Sequence, residues 1–242
     1  MNVQPLDRWN CPIPLTVNAQ RISLAHGEGA RLSRQLISDV ILSRLNPTAK
    51  VFEDAARVTA DGRQLAICTD SHTVSPLFFP GGDLGSLSVY GTVNDLAVAG
   101  ARPRWLTLSL IIEEGLPVVI LEQLLDSAAR AAAECDVQIV AGDTKVVPRG
   151  AADGLFANTT GVGEMIDPVP PGPKFIQPGD RILVSGPIGR HGIAVMCARE
   201  KFLFVPAPMS DSGPVLAQMV ALRDAAGEQL RTVRDATRGG VS

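Results

Sequence analysis

The residues of this chain with the clearest chemistry are consecutive. Asp143, Thr144 and Lys145 follow Gly142 directly, at the end of the apolar run VQIVAG. A carboxylate is a hard ligand for magnesium and a lysine ammonium is a compact partner for phosphate oxygens, so the group suits a magnesium-bound phosphate. The run before it reads as a buried strand, because β-branched residues dominate a short apolar segment bounded by turn residues. Glycine at its end lets the backbone turn sharply, leaving Asp143 and Lys145 at the rim of a sheet. A loop whose polar residues merely cap and solvate has the same local sequence.

The pattern recurs. Asp70 follows LAICT, Asp95 follows VYGTVN and Asp235 follows LRTVR. If these stretches are sheet neighbours, four carboxylates meet at one edge and repel unless a cation sits among them. Magnesium relieves that repulsion and bridges to phosphates. Asn94 adds an amide beside Asp95. Taken singly, Asp95 also fits the N-cap of a helix over 96–99, and Asp70 an Asx-turn. His26, His72 and His191 each lie next to glycine or a hydroxyl residue and read as solvated loop histidines. No Ser-His-Asp spacing and no G-x-S-x-G is present, so nucleophilic hydrolysis has no support.

The elements that must position these residues are legible in outline. A helical stripe runs over 32–45 and ends at Asn46-Pro47. Strands over 56–60 and 64–69 flank Asp61-Gly62, a hairpin signal. Further strands are expected over 105–112 and 156–163, and a helix rich in alanine and leucine over 118–135. A short strand at 21–25 leads into a glycine-containing loop, 26–31. Residues 1–20 read as an irregular arm, 21–166 as a first domain and 167–173 as a proline-rich linker, where proline bars helix and ladder alike. The remainder, 174–242, holds a strand over 181–185 and helices from 193 and over 212–226. Some seventy residues are few for a self-supporting core, so a truncated second domain is expected.

Composition narrows the classes. The 242 residues are 45% hydrophobic and 19% charged, enough for a packed core. With aromatics at 4%, that core rests on Val, Ile, Leu and Ala. A net charge of −3 leaves no electrostatic footprint for nucleic acid. No apolar run approaches the roughly 20 residues a membrane helix requires, and no apolar signal segment opens the chain, so a cytoplasmic protein is expected. Cys11, Cys68, Cys135 and Cys197 are too scattered for a zinc site and read as buried small hydrophobes.

Seven segments together resemble a known family. They are LAHG at 24–27, TDS at 69–71, PLFFPGG at 76–82, GTVNDLA at 91–97, EEGLP at 113–117, GDTKVV at 142–147 and RDATRGG at 234–240. They occur in the order found in the HypE hydrogenase maturation factors. That family belongs to the superfamily of aminoimidazole ribonucleotide synthetase (PurM), selenophosphate synthetase and thiamine-monophosphate kinase. PLFFPGG, EEGLP and GDTKVV point to HypE in particular.

The resemblance implies a PurM-like α/β (α+β) architecture of two domains. The N-terminal mixed sheet with helices would form a dimeric barrel, followed by an incomplete C-terminal α/β domain. It implies ATP and Mg2+ at the dimer edge, with Asp70, Asp95, Asp143 and Asp235 around the metal. Asn94, Asp95, Gly142, Asp143, Thr144 and Lys145, with Asp70, would hold the nucleotide, and Lys145 and Asp95 would act in catalysis. The implied activity is ATP-dependent dehydration of a carbamoyl group on a C-terminal cysteine to a thiocyanate, the source of cyanide for nickel–iron hydrogenases. The implied partners are a second copy, the carbamoyltransferase HypF and a HypC–HypD complex, without nucleic acid or membrane.

Two departures stand out. Ala30 replaces a glycine usual in the early loop, and the chain stops at Ser242 without the family's cysteine-bearing tail, so a dimerising fragment unable to complete the dehydration is expected. A selenophosphate synthetase or thiamine-monophosphate kinase is the rival within ATP enzymes, although the early loop lacks the reactive Cys expected of the former. A non-catalytic docking module is the rival outside them.

Overall fold

The computed structural model describes residues 22, 26, 31–45 and 54–237. Contacts group the chain into two compact units, Met1–Phe52 with Ala236–Ser242, and Glu53–Asp235. In the first, the stripe expected over 32–45 is helical: α1 (Arg31–Gln35), a π-helical stretch Leu36–Leu42 and α2 (Ser43–Leu45). The arm at 1–20, nearly all of the strand expected at 21–25 and most of the loop at 26–31 lie outside the described residues.

The second unit is built on a five-stranded mixed sheet. Strands β1 (Ala56–Ala60) and β2 (Arg63–His72) form the expected hairpin. Asp61 and Gly62 at its tip have φ of 49° and 78°, the left-handed pair whose twist matches the flanking strands. After the two-residue strands β3 (Phe78–Phe79) and β4 (Gly82–Asp83) comes α3 (Leu84–Val98). Asp83 caps this helix by accepting the Ser86 N–H at 2.9 Å, and its other oxygen accepts the Ser127 hydroxyl at 2.6 Å. One carboxylate thus satisfies an orphan helix donor and ties α3 to α4 (Val118–Glu134).

Strands β5 (Ala101–Glu113), β6 (Gln138–Val147) and β7 (Leu155–Met165) complete the sheet in the order β1-β2-β7-β5-β6. Only β5 and β6 are parallel, because α4 carries the chain back between them. Helices α3 and α4 cover one face. Val89 and Val93 of α3 meet Ala128, Ala131 and Ala132 of α4 over Leu106, the helical stripe in its packed form. Gly161 on β7 makes the close approach possible: a Cβ there would lie 2.6 Å from the Thr92 methyl and 2.8 Å from Leu96. The opposite face leaves Ile67, Trp105 and Ile111 at 36%, 42% and 43% exposure.

Three expectations are corrected. The VQIVAG run is not a buried strand that stops at Gly142. From Gln138 it belongs to β6, which continues to Val147 as an edge strand, and Ile139 and Val140 are exposed while Val137 before it is buried. Gly142 makes no turn there. It permits close strand approach, since a Cβ would meet the Leu108 carbonyl oxygen. The segment before Asp95 is helix α3 and not a strand. The segment 181–185 pairs with no strand among the described residues, and Ile182 and Leu183 are 83% and 78% exposed. Apolar β-branched composition suits a sheet only where a ladder partner lies alongside. Beyond it, α5 (Arg190–Glu200) and α6 (Leu216–Ala226) form as expected, and Met219 of α6 packs on Ala97 and Val98 of α3.

Candidate metal and nucleotide site

Asp70 and Asp95 reach one point from different elements. On β2 the side chains of Cys68, Asp70 and His72 share a face by the two-residue repeat, and that face turns toward α3. On α3, Thr92 and Asp95 share a face at a spacing of three. The close seat over Gly161 therefore presses both residues onto Asp70. The Cys68 Sγ and one carboxylate oxygen each from Asp70 and Asp95 lie within 4.8 Å of one another. Thr92 donates its hydroxyl to Asp70 Oδ2 at 3.0 Å.

Electrostatics marks the same point. Burial, then the charges of Asp70, Asp54 and Asp235, push the Asp95 carboxyl up to about 8. The Arg234 guanidinium beside it partly opposes the shift. Asp235 is also raised, by burial first and then by Asp54, Asp70 and Asp211. Arg234 pairs with Asp54 at 3.1 Å. Carboxyl groups raised by burial and by one another's charge are relieved by a divalent cation more than by a hydrogen bond. The donor set fits a hard ion held by the two carboxylates. Cys68 is not an obvious third ligand, because burial and both aspartates raise its thiol and it donates to the Thr92 carbonyl at 3.4 Å.

The predicted residues divide accordingly. Asp70 and Asp95 come together, and Asp235 lies within electrostatic range of both without joining their cluster. Asp143 does not join them: it lies on β6, across β7 and β5 from β2. Three strand spacings of about 4.8 Å separate them. The register also puts the two on opposite faces, since Asp70 aligns with Thr159, Leu108 and Gly142, whereas Asp143 aligns with Ser109 and Asn158. Lys145 shares the face of Asp143, the one remote from α3, and Thr144 the other face; all three are exposed.

Asn94 is engaged elsewhere. Its amide donates to the Gly213 carbonyl at 3.0 Å and accepts the Val215 N–H at 2.9 Å, clamping the segment before α6 onto α3. Sequence reasoning missed Asp54 and Asp211, which follow no apolar strand, and the hydroxyls of Thr92 and Thr159. The helical spacing from Thr92 to Asp95 was their one available signal.

Two histidines are not solvated loop residues. His72 lies on β2 with Nε2 at 3.4 Å from the Thr159 hydroxyl. His191 opens α5, meets Phe79 edge-on and has Nδ1 at 3.0 Å from the Ser210 hydroxyl; burial lowers its pKa. Cys68, Cys135 and Cys197 are buried free thiols, as expected.

Comparison with known proteins agrees with this architecture. The family model for the AIR synthase related protein N-terminal domain matches residues 52–165. The carbamoyl dehydratase HypE of Rhizobium leguminosarum bv. viciae is 43% identical over 229 residues, covering 94% of this chain and 65% of that protein. The chain thus spans about two thirds of the length of the curated relatives it matches. Among solved structures, a HypE–HypF complex superposes with a TM-score of 0.77 at 45% identity, over 85% of this chain and 67% of that one. A HypE in complex with ATP gives 0.69 at 47% identity, over 90% and 65%. The mixed sheet is PurM-like, the rival selenophosphate synthetase and thiamine-monophosphate kinase readings are not favoured, and the chain belongs to the HypE family.

Proposed function

We propose that this chain carries the nucleotide site of a HypE-type carbamoyl dehydratase. It would hold MgATP for conversion of a thiocarboxamide to a thiocyanate, with the cyanide destined for a nickel–iron hydrogenase. The observation that carries the proposal is the convergence of Asp70 and Asp95, with the Asp95 carboxyl pushed up to about 8 by burial and by its acidic neighbours. ATP supplies the step that water cannot: a carboxamide oxygen becomes a leaving group once phosphorylated. Asp70 and Asp95 would hold the metal, with Asp235 adding negative charge nearby, and the metal would fix the polyphosphate. Asn94 contributes through the backbone it clamps and not by direct contact.

Asp143, Thr144 and Lys145 belong to the same reading through a second copy. Asp143 and Lys145 share the sheet face that carries the exposed Ile67, Trp105 and Ile111. A homodimer closing that face and the β6 edge would cover the apolar side chains and deliver Lys145 to phosphate oxygens at the interface. The region from 174 onward is read as the start of a second α/β domain. A relative is known in a HypE–HypF complex; HypF and a HypC–HypD complex are the proposed partners here. No helix among the described residues is long and apolar enough to cross a membrane; a cytoplasmic setting is part of the proposal.

Calorimetric titration of the chain with MgATP tests this reading, with Asp70→Asn, Asp95→Asn and Lys145→Ala alongside. Each substitution should abolish or greatly weaken binding. Unchanged binding in both aspartate variants would remove the carboxylate site from the proposal.

A further inference from the structure

Behind Asp70 runs a buried chain of hydroxyls that the metal site does not by itself require. Thr92 on α3 and Thr159 on β7 are 0% and 1% exposed, with their Oγ1 atoms 2.5 Å apart. Thr92 also lies 3.0 Å from Asp70 Oδ2. Thr159 donates to the Ser88 carbonyl at 3.0 Å and lies 3.4 Å from His72 Nε2.

Counting protons constrains these hydroxyls. As a metal-holding carboxylate, Asp70 has no proton to give, so Thr92 donates to it. Each hydroxyl has one proton. The Thr159 proton is then divided between the Ser88 carbonyl and Thr92 Oγ1, both within reach, and Thr159 keeps a lone pair facing His72 Nε2. The contacts run from His72 through Thr159 and Thr92 to Asp70. A second observation shows that the imidazole is seated there: Gly91, one turn before Asp95, has no side chain, and a Cβ at that position would lie 2.9 Å from His72 Cε1.

We propose that Thr92 and Thr159, anchored on His72, are positioning residues that fix the Asp70 carboxylate for a divalent cation, an inference that rests on reading Asp70 as a metal ligand. Outer partners of this kind hold a ligand's orientation, and their loss commonly weakens metal binding about 10–100-fold. Free Asp70 would rotate about its χ angles, and ordering it would fall on the binding step. Thr92 acts directly on the carboxylate, whereas Thr159 acts through Thr92, so their effects should be graded.

The test uses Mn2+ as probe, with the free ion read by electron paramagnetic resonance, on the whole chain and on Thr92→Val, Thr92→Ser and Thr159→Val. Thr92→Val is expected to weaken Mn2+ binding by about 10-fold or more. Thr159→Val should weaken it less, and Thr92→Ser should restore the parent affinity. The cation-free Thr92→Val protein should melt within a few degrees of the parent, because Thr159 keeps its hydrogen bond to the Ser88 carbonyl. Parent-like affinity in Thr92→Val, or a Thr92→Ser as weak as Thr92→Val, would overturn the inference while leaving the metal site standing. A parent chain that binds no Mn2+, with Asp70→Asn indistinguishable from it, would overturn both.

Discussion

Replacing Asp95 by asparagine should make the cation-free protein more stable while destroying its proposed metal site. The Asp95 carboxyl, ordinarily at 3.8, is pushed up to about 8 by burial and by Asp70, Asp54 and Asp235. A group whose folded value exceeds its unfolded value takes up a proton on folding. Its stability contribution is therefore whole below 3.8 and drains away as pH rises through the window to about 8. At about pH 7 the native carboxyl is still protonated and the unfolded one ionised. Roughly three pH units at about 1.4 kcal/mol each mean that Asp95 costs about 4 kcal/mol there.

Asparagine has nearly the same shape and no proton to take up. The variant should gain stability of that order at about pH 7, and under about 2 kcal/mol at about pH 5. For a chain of this size, the larger figure is a rise in Tm on the order of 10 °C. Thermal unfolding of both proteins in chelator, from about pH 5 to about pH 8, measures the difference. Millimolar Mg2+ should raise the Tm of the parent, since an ion bound only by the native state stabilises it; Asp95→Asn should not respond. Parallel melting curves at every pH would refute the reasoning, because they would mean that Asp95 is not held protonated.

Three other outcomes follow from the geometry. Asn94→Ala removes both bonds to Gly213 and Val215; it should cost about 1–3 kcal/mol and speed amide exchange at Val215 selectively. Gly161→Ala drives a methyl into Thr92 and Leu96, and should lower stability by about 1–3 kcal/mol and weaken Mn2+ binding by lifting α3 off β7. Trp105→Arg places charge on the exposed sheet face; sedimentation should show the proposed dimer dissociating with the melting temperature of each subunit little changed.

Helix α3 illustrates how far sequence pattern carried. The hairpin at Asp61-Gly62, the long helix α4 and strands β5 and β7 were all legible, because turn chemistry and periodicity are local properties. The segment before Asp95 was not, because nearly all of α3 is buried: Leu84, Val89, Val93 and Leu96 are 0–1% exposed and Ser88, Thr92 and Asn94 are buried with them. A helix enclosed on most sides shows no amphipathic stripe. The segment 181–185 failed for the opposite reason: its composition suits a strand, but a ladder partner is a tertiary fact.

For the site, the sequence by itself determined which residues can do the chemistry. Aspartates and a lysine in short motifs fixed the class of ligand, a divalent cation with phosphate, and the order of seven segments pointed to the family. Only the tertiary structure decided which of them meet. Asp70 and Asp95 converge because a strand and a helix are pressed together over Gly161, and Asp235, on the segment after α6, acts on them only through its charge. Asp143 and Lys145 fall on the far edge and the other face, because a shift of one position along a strand reverses a side chain. Spacing along a chain specifies chemistry; the register of the sheet and the seat of one helix specify where it happens.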